Sequence, residues 1–259
     1  MGNGGSAGNG SRKVETDNGE RRAALVTGAS SGIGLAIASM LAEEGHDLTL
    51  TSRTGPKLDA AAGPLAAHGT AILTVAADLR DPDEAARVVA AHRQRFGRLD
   101  VLVNNAGLGI VSPLAAIETR HLDLQLAVNL RAPILFYREA EPLLRAAGAE
   151  HGGALVVNTS SITGKLGEPE LGVYSATKHG IVGFTQAMQR ELGPAGIKSC
   201  VLCPGFVDTA LSDYAKDTVP AATMIRAEDV AESVRSLLRL SPHCVVPEIV
   251  MVQREAVPA

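Results

Sequence analysis

From residue 22 onward the chain alternates between two kinds of segment. The first kind is short and rich in β-branched and aliphatic residues: AALVTG, DLTLTS, TAILTVAAD, DVLVNN, GALVVNTSS, IKSCVLCPG and CVVPEIVMV. The second kind is longer, Ala-rich and amphipathic, as in 32–45, 81–97, 118–147, 174–192 and 227–240. Continuous apolar strands separated by helices are the pattern of a parallel sheet covered on both faces. About seven strands and six helices in alternation predict an α/β fold, a doubly wound and mostly parallel sheet with ligands at the carboxyl ends of its strands. No linker interrupts the alternation and no segment repeats, so one domain is expected over 22–259. The stretch before it, residues 1–21, is dominated by Gly, Asn and Ser and reads as a disordered tail.

Composition narrows the function classes. The chain has 259 residues, 46% of them hydrophobic and 20% charged, which is enough apolar surface for a large core. A net charge of −4 offers no field for nucleic acid or anionic lipid. No apolar run reaches the roughly 20 residues of a membrane helix, and no leader-like segment opens the chain. Three cysteines cannot build a disulfide framework, so a reducing, cytoplasmic setting is expected. Cys200 and Cys203 form a Cys-x-x-Cys, but in a strand they point to opposite faces and read as core, and no metal site is expected. The first residues fit the Met-Gly-x-x-x-Ser myristoylation pattern, and Asn9 and Asn158 stand in glycosylation sequons. Patterns this short arise readily in such sequence.

Candidate chemistry begins at TGASSGIG, Thr27 to Gly34, where the first strand passes through glycines into a helix. Free N–H groups and the helix dipole favour a phosphate pair there, and glycine allows close approach. A tight strand-to-helix turn can also use glycine for conformation alone. The second strand ends in Ser52 and Arg53 with no acid. At this position a carboxylate suits the 2′-hydroxyl of NAD and a basic group suits a 2′-phosphate, so NADP(H) is favoured over NAD(H). Further along, GVYSATKHG sets Tyr174 four residues before Lys178, on one side of a helix. A packed tyrosine and a solvated lysine are the plainer reading of that pair taken alone.

In order along the chain stand TGASSGIG, Asp78–Leu79, NNAG at 104–107, Val128–Asn129, Ser160–Ser161, YSATK at 174–178 and PGFVDT at 204–209. Together they resemble the compact, single-domain branch of the short-chain dehydrogenase/reductase family over about residues 22–252, which implies a Rossmann-type sheet. The resemblance implies that Gly28, Ser30, Ser31, Gly32, Ile33 and Gly34 form the pyrophosphate loop. It implies that Asp78 accepts from the adenine amino group beside Leu79, and that Asn105, Ala106 and Gly107 run along the adenine ribose. Pro204, Gly205, Val207 and Thr209 are implied near the nicotinamide.

Hydride transfer to a carbonyl leaves an alkoxide that needs a proton, which the protein must supply. A free phenol titrates near about 10, and a nearby cation lowers that value. Tyr174 is therefore the expected acid/base, with Lys178 lowering its pKa and, by the resemblance, binding the ribose. Ser161 ends its strand at the carboxyl edge and is expected to bind the carbonyl oxygen, the family interval selecting it over Ser160. Asn129 is implied as a proton relay, although an asparagine bridging backbone groups fits its apolar surroundings too. His179, about 100° around the helix from Lys178, reads as structural.

Leu108, Ile110, Ile162, Leu166, Leu171, Phe206, Leu211 and Tyr214 are the expected substrate walls, apolar with few fixed charges. They point to a small-molecule apolar carbonyl compound or alcohol. The alternatives are a 3-oxoacyl thioester reductase acting on acyl carrier protein and, in another class, a non-catalytic dinucleotide-binding regulatory protein. A homodimer or homotetramer is implied by the resemblance.

Overall fold

The computed structural model describes residues 21–254. Apart from Arg21, the expected tail lies outside the described residues, as do the myristoylation pattern and Asn9. All seven apolar runs form strands: β1 (Ala23–Thr27), β2 (Asp47–Ser52), β3 (Ile72–Ala76), β4 (Val101–Asn104), β5 (Ala154–Thr159), β6 (Ile197–Pro204) and β7 (Glu248–Met251). They make one sheet in the order β3-β2-β1-β4-β5-β6-β7, and every pairing is parallel rather than most. Strand order reverses between β1 and β4, which opens a crevice at their carboxyl ends.

Helices α1 (Gly32–Glu43), α2 (Gly55–Ala62), α3 (Glu84–Phe96), α4 (Thr119–Leu126), α5 (Ala132–His151), α6 (Gly172–Leu192) and α7 (Ala227–Arg239) supply the two outer layers. One core packs α1, α2 and α7 on the sheet through residues such as Ile37, Leu41, Leu58, Val230 and Val234. The other packs α3 and α5 on the opposite face through Val88, Phe136 and Leu144.

The eight-residue α2 fills the gap between β2 and β3, a helix that the alternation implies without setting its bounds. One helical reading needs correction. Residues 118–147 are not one helix: α4 and α5 are separated by a π turn at Ala127–Arg131, and α5 runs on to His151. Pro133 has no N–H to give the carbonyl four residues back, at Asn129, so the regular ladder breaks where the π turn sits.

Cys200 and Cys203 are fully buried on opposite faces of β6. Burial pushes their thiols up to about 12 and about 11, which suits core residues rather than reactive ones. Among the described residues no group of His, Cys, Asp and Glu is placed to hold a metal ion, and no helix is long and apolar enough to cross a membrane.

A hollow of about 170 Å³ at the amino end of the sheet is lined by Arg22, Asp100, His151 and Lys198. Burial pushes the Asp100 carboxyl up, but bonds from Arg98, His151 and the Ala23 N–H outweigh it and hold the group well below the usual carboxylate range. Lys198 Nζ lies 3.4 Å from the carbonyls of Leu240 and Ser241 at the end of α7. Asp100 and Lys198 thus tie strand starts to helix ends in this hollow.

Two buried histidines set the acid limit of the fold. His92 Nδ1 pairs with Thr49 Oγ1 at 2.8 Å and Nε2 with the Arg98 carbonyl at 2.7 Å. A neutral ring with the proton on Nε2 satisfies both bonds, since a carbonyl only accepts. Burial pulls both His92 and His46 down to about 4. Between that value and the ordinary 6.5 the unfolded chain binds two more protons than the folded one, so stability falls as the medium is acidified. The slope is about 2.7 kcal/mol per pH unit. Urea unfolding at pH 7 and pH 5 should register the loss, and His92→Gln should halve the slope.

Candidate active site

A cleft of about 950 Å³ lies along the carboxyl ends of the strands, from the end of β2 to the loop after β6. Its lining includes Gly28, Ser30, Ser31, Gly32 and Ile33 from the first turn and Ser52 and Arg53 from β2. Asp78 and Leu79 follow, then Asn105, Ala106 and Gly107 after β4, and Pro204, Gly205, Val207 and Thr209 after β6. Ser161, Tyr174 and Lys178 line it as well. Gly34 and Asn129 do not, and both stand just behind the wall.

The first turn is built by close approach. Gly28 (φ +68) and Gly32 (φ +54) hold left-handed conformations that glycine adopts without strain. A Cβ at Gly34 would sit 2.3 Å from the Gly28 carbonyl oxygen and 2.5 Å from Asn105 Nδ2. Gly34 therefore lets the turn fold onto the loop after β4 instead of facing the cleft. Thr27 Oγ1 accepts from the N–H groups of Asn105 and Ala106, both at 3.0 Å, and joins that loop to β1. Ser31, the residue before α1, makes no side-chain capping bond, and the first turn of α1 has no acidic residue. The N–H groups there are left for an outside acceptor.

At the β2 end, Arg53 stands beside Lys57 and Arg80, cleft residues that the sequence reading did not pick out. Lys57 is carried by α2, whose bounds the sequence pattern does not set. Arg80 donates from Nε to both Asp78 oxygens at 2.9 Å. That bond, with lesser charge effects, holds the Asp78 carboxyl below its ordinary value.

Ser161, Tyr174 and Lys178 come together from two elements. Ser161 Oγ accepts the Thr163 N–H at 3.2 Å in the short turn after β5, and a hydrogen bond links it to the Tyr174 phenol. Lys178 is 3% exposed. Its ammonium lies 5.4 Å from the Tyr174 ring centroid and donates to the Thr159 carbonyl at 2.9 Å.

The expected lowering of the tyrosine pKa is reversed. Burial pushes the phenol up to about 12, and the bond to Ser161 offsets this only in part. Burial also pulls Lys178 down to about 8. Helical spacing brings the pair together, but desolvation disfavours both charged forms.

Asn129 is 1% exposed. Its Oδ1 accepts the Leu108 N–H at 2.9 Å, and Nδ2 donates to the Leu108 carbonyl at 2.8 Å and to Thr177 Oγ1 at 3.2 Å. The side chain acts as a bridge holding the loop after β4, the backbone-bridging role that the sequence reading set beside the relay. His179 points back to the Ser175 carbonyl at 2.9 Å.

At the substrate end, Leu108, Ile162, Leu171, Phe206, Leu211 and Tyr214 line the cleft, joined by Val111 and Leu124. Ile110 and Leu166 are not part of the lining, and Leu166 is 55% exposed. The expectation of few fixed charges is corrected by Glu168 and Glu170 on the rim. Glu170 holds a left-handed φ of 61 while its carbonyl accepts the Ser112 N–H at 2.8 Å, so the loops after β4 and β5 meet across the mouth.

A sheet with this strand order and a glycine turn under a cleft at its switch point defines a doubly wound nucleotide-binding α/β protein. The profile of the short chain dehydrogenases matches residues 22–220, and the chain belongs to that family. It is an oxidoreductase acting on CH–OH or C=O groups. It is 34% identical over 226 residues to a 3-oxoacyl-(acyl-carrier-protein) reductase of Staphylococcus aureus, a match covering 83% of this chain and 90% of that one.

Among solved structures, an alcohol dehydrogenase of Thermococcus sibiricus complexed with 5-hydroxy-NADP is similar with a TM-score of 0.84 and 28% identity. That match covers 93% of this chain and 100% of the other. A 3-ketoacyl-(acyl-carrier-protein) reductase of Brucella melitensis complexed with NADH is similar at 0.83 and 28%, over 92% and 99%.

Proposed function

We propose that the protein is an NADP(H)-dependent reductase of an apolar ketone or aldehyde, working in reverse as a dehydrogenase of the matching secondary alcohol. The observation that carries this reading is the meeting of Ser161, Tyr174 and Lys178 at the point where the nucleotide side of the cleft joins its apolar end.

The donor set fits a dinucleotide. Uncapped N–H groups at α1 suit a pyrophosphate, and Ser52, Arg53 and Lys57 suit a 2′-phosphate. Lys178 stands where it could hold ribose hydroxyls. When bound, the nicotinamide supplies or takes the hydride. The protein supplies the rest. Ser161 donates to the carbonyl oxygen and holds it beside the phenol. Tyr174, with its pKa raised to about 12, is fully protonated at neutral pH and gives its proton to the developing alkoxide. The phenolate left behind is stabilised by the Lys178 ammonium, an attraction strengthened by the same burial that disfavours each charge alone. Leu108, Ile162 and Phe206 exclude water.

A second reading, reduction of a 3-oxoacyl thioester, is supported by the carrier-protein reductases among the relatives. The Glu168 and Glu170 carboxylates on the rim work against an anionic carrier approaching the mouth. Initial rates on a panel of apolar ketones and a 3-oxoacyl thioester, each with NADPH and NADH, test both readings. The proposal expects the higher kcat/KM with an apolar ketone and NADPH, and a faster thioester reaction overturns it. Arg53→Ala should raise the KM for NADPH about tenfold or more and leave that for NADH unchanged, since a charge-assisted bond to phosphate contributes about 1.5–3 kcal/mol. Equal effects on the two nucleotides would remove the case for NADP(H).

A further inference from the structure

Three consecutive residues at the end of β5 each engage the Tyr174–Lys178 turn of α6. The Thr159 carbonyl accepts from Lys178 Nζ at 2.9 Å, the Ser161 hydroxyl bonds the Tyr174 phenol, and between them Ser160 Oγ donates to the Lys178 main-chain carbonyl at 2.9 Å. Lys178 is therefore gripped at both ends, its ammonium by one residue and its backbone by the next.

Ser160 is 3% exposed, and its own N–H donates to the Leu202 carbonyl at 2.7 Å, so its side chain hangs from a fixed strand. It is also a hydrogen-bond partner of the Cys203 thiol on β6. Space for the hydroxyl is provided by Gly164, where a Cβ would lie 2.3 Å from Ser160 Oγ and 2.8 Å from the Lys178 carbonyl oxygen. A side chain at 164 could not coexist with this bond unless the backbone moved.

We infer that Ser160 is a positioning residue that fixes the height of Lys178, and with it the whole proton-transfer pair, against the end of β5. The sequence reading set Ser160 aside in favour of Ser161. The inference rests on the reading of Tyr174 and Lys178 as that pair. Its consequence is geometric: with the Lys178 carbonyl released, the turn of α6 is held to β5 only through side-chain tips, and displacements on the order of 1 Å at a reacting group reduce turnover steeply.

The test compares Ser160→Ala with Thr185→Ala. Thr185 lies farther along α6 and accepts from Asn158 Nδ2 at 2.8 Å, a buried bond remote from the cleft. Each variant loses the buried side-chain bond that ties its part of α6 to the β5 segment, Thr185→Ala also losing a bond to the Ile181 carbonyl, and kcat is normalised to NADPH-binding sites titrated by fluorescence, so unfolded protein is not counted. Ser160→Ala should lower kcat about tenfold, by more than it weakens the NADPH Kd, and should move the alkaline limb of the reduction pH profile. Thr185→Ala should lower only the melting temperature. If Ser160→Ala does not accumulate, Ser160→Cys, nearly isosteric with a weaker donor, should show an intermediate loss. Native kcat and pH profile in the Ser160 variant, at a lowered melting temperature, would make the residue purely structural and overturn the inference. An active Tyr174→Phe would instead overturn the proposed function itself, so the two failures are separable.

Discussion

A Tyr174→Phe protein is expected to bind NADPH as tightly as the native one and to turn over about a thousandfold more slowly, the middle of the range for loss of a general acid. The change deletes one oxygen and leaves the ring, which lies within 3.6–3.9 Å of where a Cβ at Gly109 would stand, to fill the same wall. Ser161 keeps its bond to the Thr163 N–H. A loss of that size corresponds to about 4 kcal/mol of barrier. A protein that holds the nucleotide without turnover would be indifferent to the substitution. Stopped-flow and steady-state rates beside a fluorescence titration of NADPH decide it, and unchanged turnover would remove Tyr174 from the mechanism.

The second large effect has opposite signs in stability and activity. Lys178 is a buried cation pulled from its ordinary 10.5 to about 8, a gap equivalent to about 3 kcal/mol against folding while the group is charged. Lys178→Met fills a similar volume without that charge but strands the Thr159 carbonyl, which costs about 1 kcal/mol. The variant is expected to be more stable than the native protein by about 2 kcal/mol at pH 7 and to have lost most of its turnover. The sign depends on pH. Between pH 8 and 10.5 the unfolded native chain binds more protons than the folded one, so native stability rises with pH and the advantage of the variant shrinks. Urea unfolding at pH 7 and pH 10 measures this, and a destabilised Lys178→Met at pH 7 would refute the account.

Strands were legible because they read as unbroken apolar runs; β1 and β6 are buried at every position, while the edge strands β3 and β7 are only partly covered. Helix α2 was implied by the alternation but not bounded by it, because GPKLDAAA buries only Leu58 and Ala62 and offers no apolar stripe. The π turn was hidden because its cause is a missing donor at Pro133 rather than a change of pattern. In the cleft, order and spacing located Ser161, Tyr174, Lys178 and the glycine turn. The direction of the Tyr174 shift was misread, because spacing gives proximity and says nothing of desolvation. Asn129 was ambiguous from the start, and its partners, the Leu108 backbone and Thr177, are 21 and 48 residues away. Glu168 and Glu170 stand between the expected wall residues Leu166 and Leu171, yet attention to apolar residues passed over them.

The chain has no tryptophan and three tyrosines. Tyr137 is shut away against Ser199, while Tyr174 and Tyr214 both line the cleft. Two of the three tyrosines, the strongest ultraviolet emitters in a chain without tryptophan, therefore stand at the place where ligands enter. The native polypeptide is its own optical probe of occupancy, with no dye or engineered label required.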